Sequence, residues 1–171
     1  MKVMSSEFRV RSKKSNNPNP IRTYEFKSSN SELNCSELMI FGTGIDIVNI
    51  ERIESMMARW GDLFLGRVFT EREIVWCQQR TRPPECFAIR FAAKEAFLKA
   101  IGRGLRNGIQ WTDIEVENDP LGKPLLSFHR KAKEVLETQR IKKALLTLSH
   151  ERPYAVAHVL LEGHSDEGSN R

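Results

Sequence analysis

Asp46, Glu95 and Lys99 are the residues in this 171-residue sequence whose types and settings can do chemistry. Asp46 sits in Gly42-Thr-Gly-Ile-Asp46-Ile-Val-Asn-Ile-Glu-Arg52-Ile53, at the end of a largely apolar stretch. Its carboxylate is expected to emerge at a sheet edge beside a helix start, where it either binds a cation or caps that helix. Glu95 and Lys99 stand one helical turn apart in Arg90-Phe-Ala-Ala-Lys94-Glu95-Ala-Phe-Leu-Lys99-Ala100. On an anonymous helix such a spacing is an exposed ion pair worth about 0.3–0.5 kcal/mol. Taken together the three residues suggest more. Mg2+ prefers oxygen ligands, commonly one or two carboxylates completed by waters and substrate phosphates. Asp46 and Glu95 supply such a pair, and Lys99 supplies a point charge for a bridging diphosphate. The segment Gly102-Arg103-Gly104-Leu-Arg106-Asn107-Gly108 follows at once, and its backbone amides can approach phosphate.

The surrounding pattern mixes strands and helices. Met39 to Val48 is apolar and β-branched, which predicts a strand. Asn49 can cap a helix from about Ile50 to Trp60, with Ile50, Ile53, Met56 and Met57 at helical spacing. Thr70 and Glu73 form a capping box for a helix to about Arg80, ended by Arg82-Pro83-Pro84. Pro84 suits the first turn of a longer helix that stops near Ile101, where Gly102 follows. Ala92, Ala93, Ala96 and Ala100 would let a neighbour pack closely on that helix, and Phe87, Phe91 and Leu98 lie near one apolar stripe that Lys94-Glu95 interrupts. Trp111 to Glu117 alternates as a strand, Asn118-Asp-Pro-Leu-Gly122 is turn chemistry, and a second strand runs to Phe128. Arg130 to Arg140 is an amphipathic helix. Ala144–Ser149 and Tyr154–Leu161 flank Glu151-Arg152-Pro153 as a hairpin. This order implies an α+β fold: a mainly antiparallel sheet packed against helices, with one long central helix.

The bulk properties set limits. Hydrophobic residues make up 40% and charged residues 29%, ordinary for a globular chain. Residues 1–38 are polar, rich in Ser, Asn and Pro, and read as a disordered extension, with one short exception around Ile21 to Phe26. Residues 39–162 form the folded domain and 163–171 a flexible tail. No apolar run reaches the roughly 20 residues that span a bilayer, and the N-terminus lacks a secretory apolar region, so a cytoplasmic location and no membrane partner are expected. Three cysteines without metal or CxxC spacing read as reduced thiols. The net charge of +5 permits an anionic partner. Residues 39–162 hold 19 basic and 16 acidic residues. Their aromatics are not interleaved with basic residues as nucleic-acid stacking platforms require. A basic nucleic-acid-binding module is therefore the weaker alternative.

Two segments carry a family resemblance. Gly44-Ile-Asp46-Ile-Val-Asn-Ile-Glu-Arg52-Ile53 and Phe91-Ala-Ala-Lys94-Glu95-Ala-Phe-Leu-Lys99-Ala100 resemble the two signatures of the holo-acyl-carrier-protein synthases, the small bacterial-type 4′-phosphopantetheinyl transferases. The Arg106-Asn-Gly108 loop, the Asn118-Asp-Pro-Leu-Gly122-Lys123-Pro124 turn and the Leu148-Ser-His150-Glu-Arg-Pro-Tyr154-Ala-Val-Ala run agree with it, so the resemblance covers residues 39–162. It implies the 4′-phosphopantetheinyl transferase fold, a Mg2+ cofactor held by Asp46 and Glu95, and catalytic roles for Glu95 and Lys99. It further implies coenzyme A contacts from Arg90, Lys99, Gly102, Gly104 and His150, and a carrier-protein docking position at Arg52; because carriers of this class are acidic, Arg59 with Met56 is expected to extend that docking surface. A homotrimer with sites between subunits and a place in fatty acid biosynthesis also follow from it. The implied reaction moves phosphopantetheine from coenzyme A to a serine of apo acyl carrier protein. Peptidyl or polyketide carrier domains are an alternative acceptor class, and a catalytically dead trimeric scaffold is a third reading that the intact set of site residues disfavours.

Overall fold

The computed structural model describes residues 9–11, 23–25, 38–102, 104–105 and 108–164. By its contacts the chain divides into Met1–Cys35 and Ser36–Arg171. In the first unit β1 (Arg9–Arg11) pairs antiparallel with β2 (Thr23–Glu25), the latter inside the stretch singled out as structured. Arg9–Arg11 and Leu38, expected within a disordered extension, and Gly163 and His164, expected within a flexible tail from 163 to 171, are instead strand residues; the remaining expectations for these two segments lie outside the described residues.

The second unit begins with β3 (Leu38–Asn49), whose last residue turns the chain into α1 (Ile50–Val68). Asn49 caps that helix, its Oδ1 accepting from the Arg52 amide at 3.2 Å. α1 runs past the expected end at Trp60. Gly61 takes φ +51° and ψ −130°, a conformation open to glycine, so the helix kinks there and continues instead of stopping. Thr70 and Glu73 make the expected capping box for α2 (Glu71–Gln78). Pro83 and Pro84 open α3 (Pro83–Ala100). A 3-10 turn (Trp111–Asp113) takes the start of the segment expected as a strand, and β4 (Ile114–Asn118) follows. β5 (Pro124–Phe128), α4 (Arg130–Thr138), β6 (Ile141–Glu151) and β7 (Tyr154–His164) complete the unit. The result is the expected α+β architecture. β3-β7-β6 form one antiparallel sheet with β3 at its edge, and β4-β5 form a separate hairpin.

α3 is the centre of this unit. Its buried residues, among them Phe87, Ala92, Ala93, Ala96, Phe97 and Ala100, are not confined to one stripe, as suits a helix enclosed on most sides. The small side chains do what their positions implied. An added Cβ at Gly44 would lie 2.1 Å from the Ala96 carbonyl oxygen, and one at Gly42 would lie 2.2 Å from that of Ala100. Strand and helix backbones thus meet with no side chain between them. Ala155 and Ala157 of β7 are equally buried, so the sheet carries α3 at short range across two strands. On the opposite side Phe97 stacks on Phe128 at 4.6 Å, and Phe91 on Trp111 at 5.1 Å.

Reduced thiols are not what the structure holds at Cys77 and Cys86. The two form a disulfide between the end of α2 and the start of α3, with a Cα separation of 5.4 Å. Their spacing in sequence gave no sign of it, because the proline-marked turn between the helices brings them together. Cys35 lies outside the described residues.

Candidate active site

Gly42 and Gly44 let β3 settle directly onto α3, and two residues further along Asp46 faces the same helix. Its side chain is 15% exposed and meets Lys99 Nζ at 2.7 Å. The same ammonium also donates to the Ile45 carbonyl at 3.0 Å. Lys99 therefore bridges strand and helix instead of pairing with Glu95 along its own helix. Glu95 is half-buried one turn earlier on α3. Its carboxyl is pushed above the ordinary carboxylate range, first by burial and then by the negative charge of Asp46, while Lys99 and Arg52 oppose the rise. Four expected residues, Asp46, Glu95, Lys99 and Arg52, are thus close enough to feel one another's charge.

Two carboxylates, one of them partly desolvated, with a lysine and an arginine beside them are residues that could hold a hard cation and its anionic ligand. Among the described residues no three His, Cys, Asp or Glu side chains cluster as metal ligands; the candidate donors here are the two carboxylates Asp46 and Glu95. That donor set suits an ion whose remaining positions belong to water and phosphate.

The other expected residues lie in separate neighbourhoods of the chain. Arg90 is buried on α3, donating to Asn118 Oδ1 at 3.2 Å and to Cys86 Sγ at 3.0 Å. It lines a cavity of about 240 Å³ with Trp76, Glu73, Glu115 and Asn118. His150 is exposed near the β6–β7 turn, 3.8 Å from Glu85 Oε2, and Glu85 also accepts from Arg82 and Arg152. Gly102 and Gly104 follow α3 with φ of +68° and +58°, so their glycine identity serves backbone conformation. A Cβ at either would meet nothing within 4 Å. Arg103, Arg106 and Asn107 lie outside the described residues. Met56 packs half-buried against the core, and Arg59 is exposed, its guanidinium 5.0 Å from the Trp60 ring.

Sequence reasoning missed Glu73 as anything beyond a helix cap, and Lys94 as anything beyond a break in an apolar stripe. Both are buried, and Lys94 Nζ meets Glu73 Oε2 at 2.7 Å. The signal was present in a lysine amid alanines and phenylalanines, since such a charge survives burial only with a partner.

Comparison with known proteins bears on the same elements. The 4′-phosphopantetheinyl transferase superfamily matches residues 42–159. A holo-[acyl-carrier-protein] synthase of Koribacter versatilis is 51% identical over 124 residues, covering 72% of this chain and 99% of the relative. The crystal structure of holo-[acyl-carrier-protein] synthase from Neisseria meningitidis superposes with a TM-score of 0.68 at 37% identity, over 72% of this chain and 98% of that one. That of Bacillus anthracis, in complex with CoA (3′,5′-ADP), gives a TM-score of 0.61 at 38% identity, over 73% and 98%.

Proposed function

This chain belongs to the 4′-phosphopantetheinyl transferase superfamily, and we propose that it is a holo-acyl-carrier-protein synthase working through the Asp46–Glu95–Lys99 site. It transfers 4′-phosphopantetheine from coenzyme A to a serine of apo acyl carrier protein. The serine oxygen bonds to the β-phosphorus of coenzyme A, the bond from that phosphorus to the bridging oxygen breaks, and adenosine 3′,5′-bisphosphate leaves with the electron pair. The observation that carries this reading is the convergence of a strand-end aspartate, a partly desolvated glutamate and a lysine at the seam between β3 and α3.

Phosphoryl transfer asks the protein chiefly for positioning and charge neutralisation. Asp46 and Glu95 are the residues to hold Mg2+, whose bound charge would neutralise diphosphate oxygens and make the phosphorus more electrophilic. Lys99 is half exposed, so its ammonium can serve Asp46 in the free protein and a phosphate oxygen in the complex. The serine proton passes to Glu95 or to a water beside it; the raised Glu95 pKa belongs to the metal-free protein, and a Mg2+ held by the same carboxylate would lower it. Gly104 offers a backbone N–H beyond the C-terminus of α3, whereas the Gly102 N–H is donated to the Lys99 carbonyl at 3.0 Å. Arg90 and His150 contact coenzyme A, in a pocket shared between subunits.

Carrier proteins of this class are acidic, and Arg52, Arg59, Arg67 and Arg72 are exposed on α1 and α2, with Met56 beside them as an adaptable apolar contact. The homotrimer rests on the sheet face turned away from α3, where Ile45 and Ile47 of β3 are 62% and 61% exposed. No helix among the described residues is long and apolar enough to cross a membrane. The proposed setting is the cytoplasm, in fatty acid biosynthesis. Incubating the protein with coenzyme A, Mg2+ and apo acyl carrier protein should raise the carrier's mass by one phosphopantetheinyl group. An unmodified carrier, with a known synthase active in parallel, would overturn the assignment.

A further inference from the structure

Lys94 is fully buried one residue before Glu95. Its ammonium spends all three hydrogens on three different elements: the Val68 carbonyl at the end of α1 (2.8 Å), Glu73 Oε2 on α2 (2.7 Å) and the Trp111 carbonyl in the 3-10 turn (3.1 Å). Glu73 is equally enclosed and extends the set. Its Oε2 also accepts from the Thr70 amide at 2.9 Å, and its Oε1 from the Val116 amide of β4 at 3.0 Å. All three ammonium hydrogens of Lys94 and three of the roughly four acceptor positions of Glu73 are in use.

Stability alone does not account for such an arrangement. Removing two charges from water offsets most of their attraction, and buried pairs replaced by neutral groups of similar volume often cost nothing. What a pair with four fixed partners supplies is direction. Successive residues on an α-helix are about 100° apart, so the rotation that seats Lys94 also determines where Glu95 points. The bond to the Trp111 carbonyl acts at a second place. The segment carrying Gly102 and Gly104 leaves α3 at Ala100 and returns at Trp111, so Lys94 ties its far end back to the helix from which it departs.

We propose that Lys94, held by Glu73, is a positioning residue for the transfer reaction: it sets the rotation of α3 that brings Glu95 to Asp46, and it anchors the glycine segment on the coenzyme A side. The proposal rests on the function assigned above. It is tested with the neutral pair Glu73→Gln/Lys94→Met, in which glutamine still serves the α2 cap and Met fills the volume of the lysine. The melting temperature reports folding, calorimetry with coenzyme A alone reports cofactor binding, and steady-state rates separate kcat from KM. Amide exchange at Gly102, Gly104 and Ile109 reports the segment itself.

The expected result is a cooperative melt close to the parent, coenzyme A affinity weakened tenfold or more, kcat lowered tenfold or more, and an unchanged KM for the carrier. Exchange at the three amides should quicken. A folded double variant with parental coenzyme A affinity and kcat would overturn the proposal. Should that variant melt below assay temperature, Glu73→Gln alone decides. It keeps the bonds from Lys94 to Val68 and Trp111, so an intermediate loss of coenzyme A affinity supports the proposal and parental values overturn it. A parent protein that binds coenzyme A yet loads no carrier would instead refute the assigned function.

Discussion

Asp46 and Glu95 place two carboxylates within reach of each other's charge, and Lys99 answers only the first of them directly. The imbalance falls on Glu95. Its folded-state pKa lies above that of the unfolded chain, so the folded protein holds the extra proton between those two values. Stability from this group therefore falls as pH rises through that window and is regained on acidification. Glu95→Gln removes the titration. It should abolish at least 99% of turnover while raising the melting temperature at neutral pH, and the difference in melting temperature should close as pH falls into the ordinary carboxylate range. A variant that melts lower than the parent at neutral pH would show that the carboxylate is better compensated than its surroundings imply. These identities were legible in sequence because they lie in two compact signatures. The pairing of Lys99 with Asp46 was not, since a spacing of four along one helix suggests Glu95 and only the fold brings the strand closer.

Elements impose the next constraint. β3 and α3 touch through backbone, so Gly44→Ala must move a strand or a helix and not merely a side chain. The expected cost is about 3 kcal/mol or more, at or above the upper end for overpacking, read as a lowered denaturant midpoint with an unchanged slope. Activity should fall with it, because the displacement acts on the same seam that holds Asp46. The disulfide works on the neighbouring junction. It closes a loop of nine residues between α2 and α3, and its reduction should lower stability by about 2–3 kcal/mol, measured as a drop in melting temperature on adding a dithiol. No drop, with two newly titratable thiols, would show that the proline turn alone orders the junction. The capping residues Asn49 and Thr70 and the opening prolines of α3 made helix starts readable. The end of α1 was not readable, because Gly61 kinks the helix and the Phe64, Leu65 and Val68 contacts carry it onward. Tertiary burial overrode a local stop signal there.

At the scale of the whole molecule, the outer sheet face carries the proposed association between subunits. Ile45 and Ile47 expose large apolar surface beside the Thr43–His158 pair, whose Oγ1 and Nε2 are 2.7 Å apart. Replacing both isoleucines by lysine should leave the circular dichroism of the fold intact and convert a trimer to a monomer in light scattering, with loss of activity if the coenzyme A pocket spans two subunits. A parent that scatters as a monomer would remove the shared pocket. Composition suggests a folded domain from Met39, and contacts divide the chain after Cys35; the β1–β2 pairing of three residues each has too little pattern to be read in full in advance.

The backbone-to-backbone seam has a further meaning for how such an enzyme can change. Contacts between side chains can be retuned one methyl group at a time. A contact defined by missing atoms has no neighbouring solution, so Gly42, Gly44 and the alanines facing them leave little room for drift. The arginines on the exposed helices carry no such restriction. A laboratory seeking to redirect this catalyst toward another acceptor can therefore vary the rim freely and should leave the seam alone.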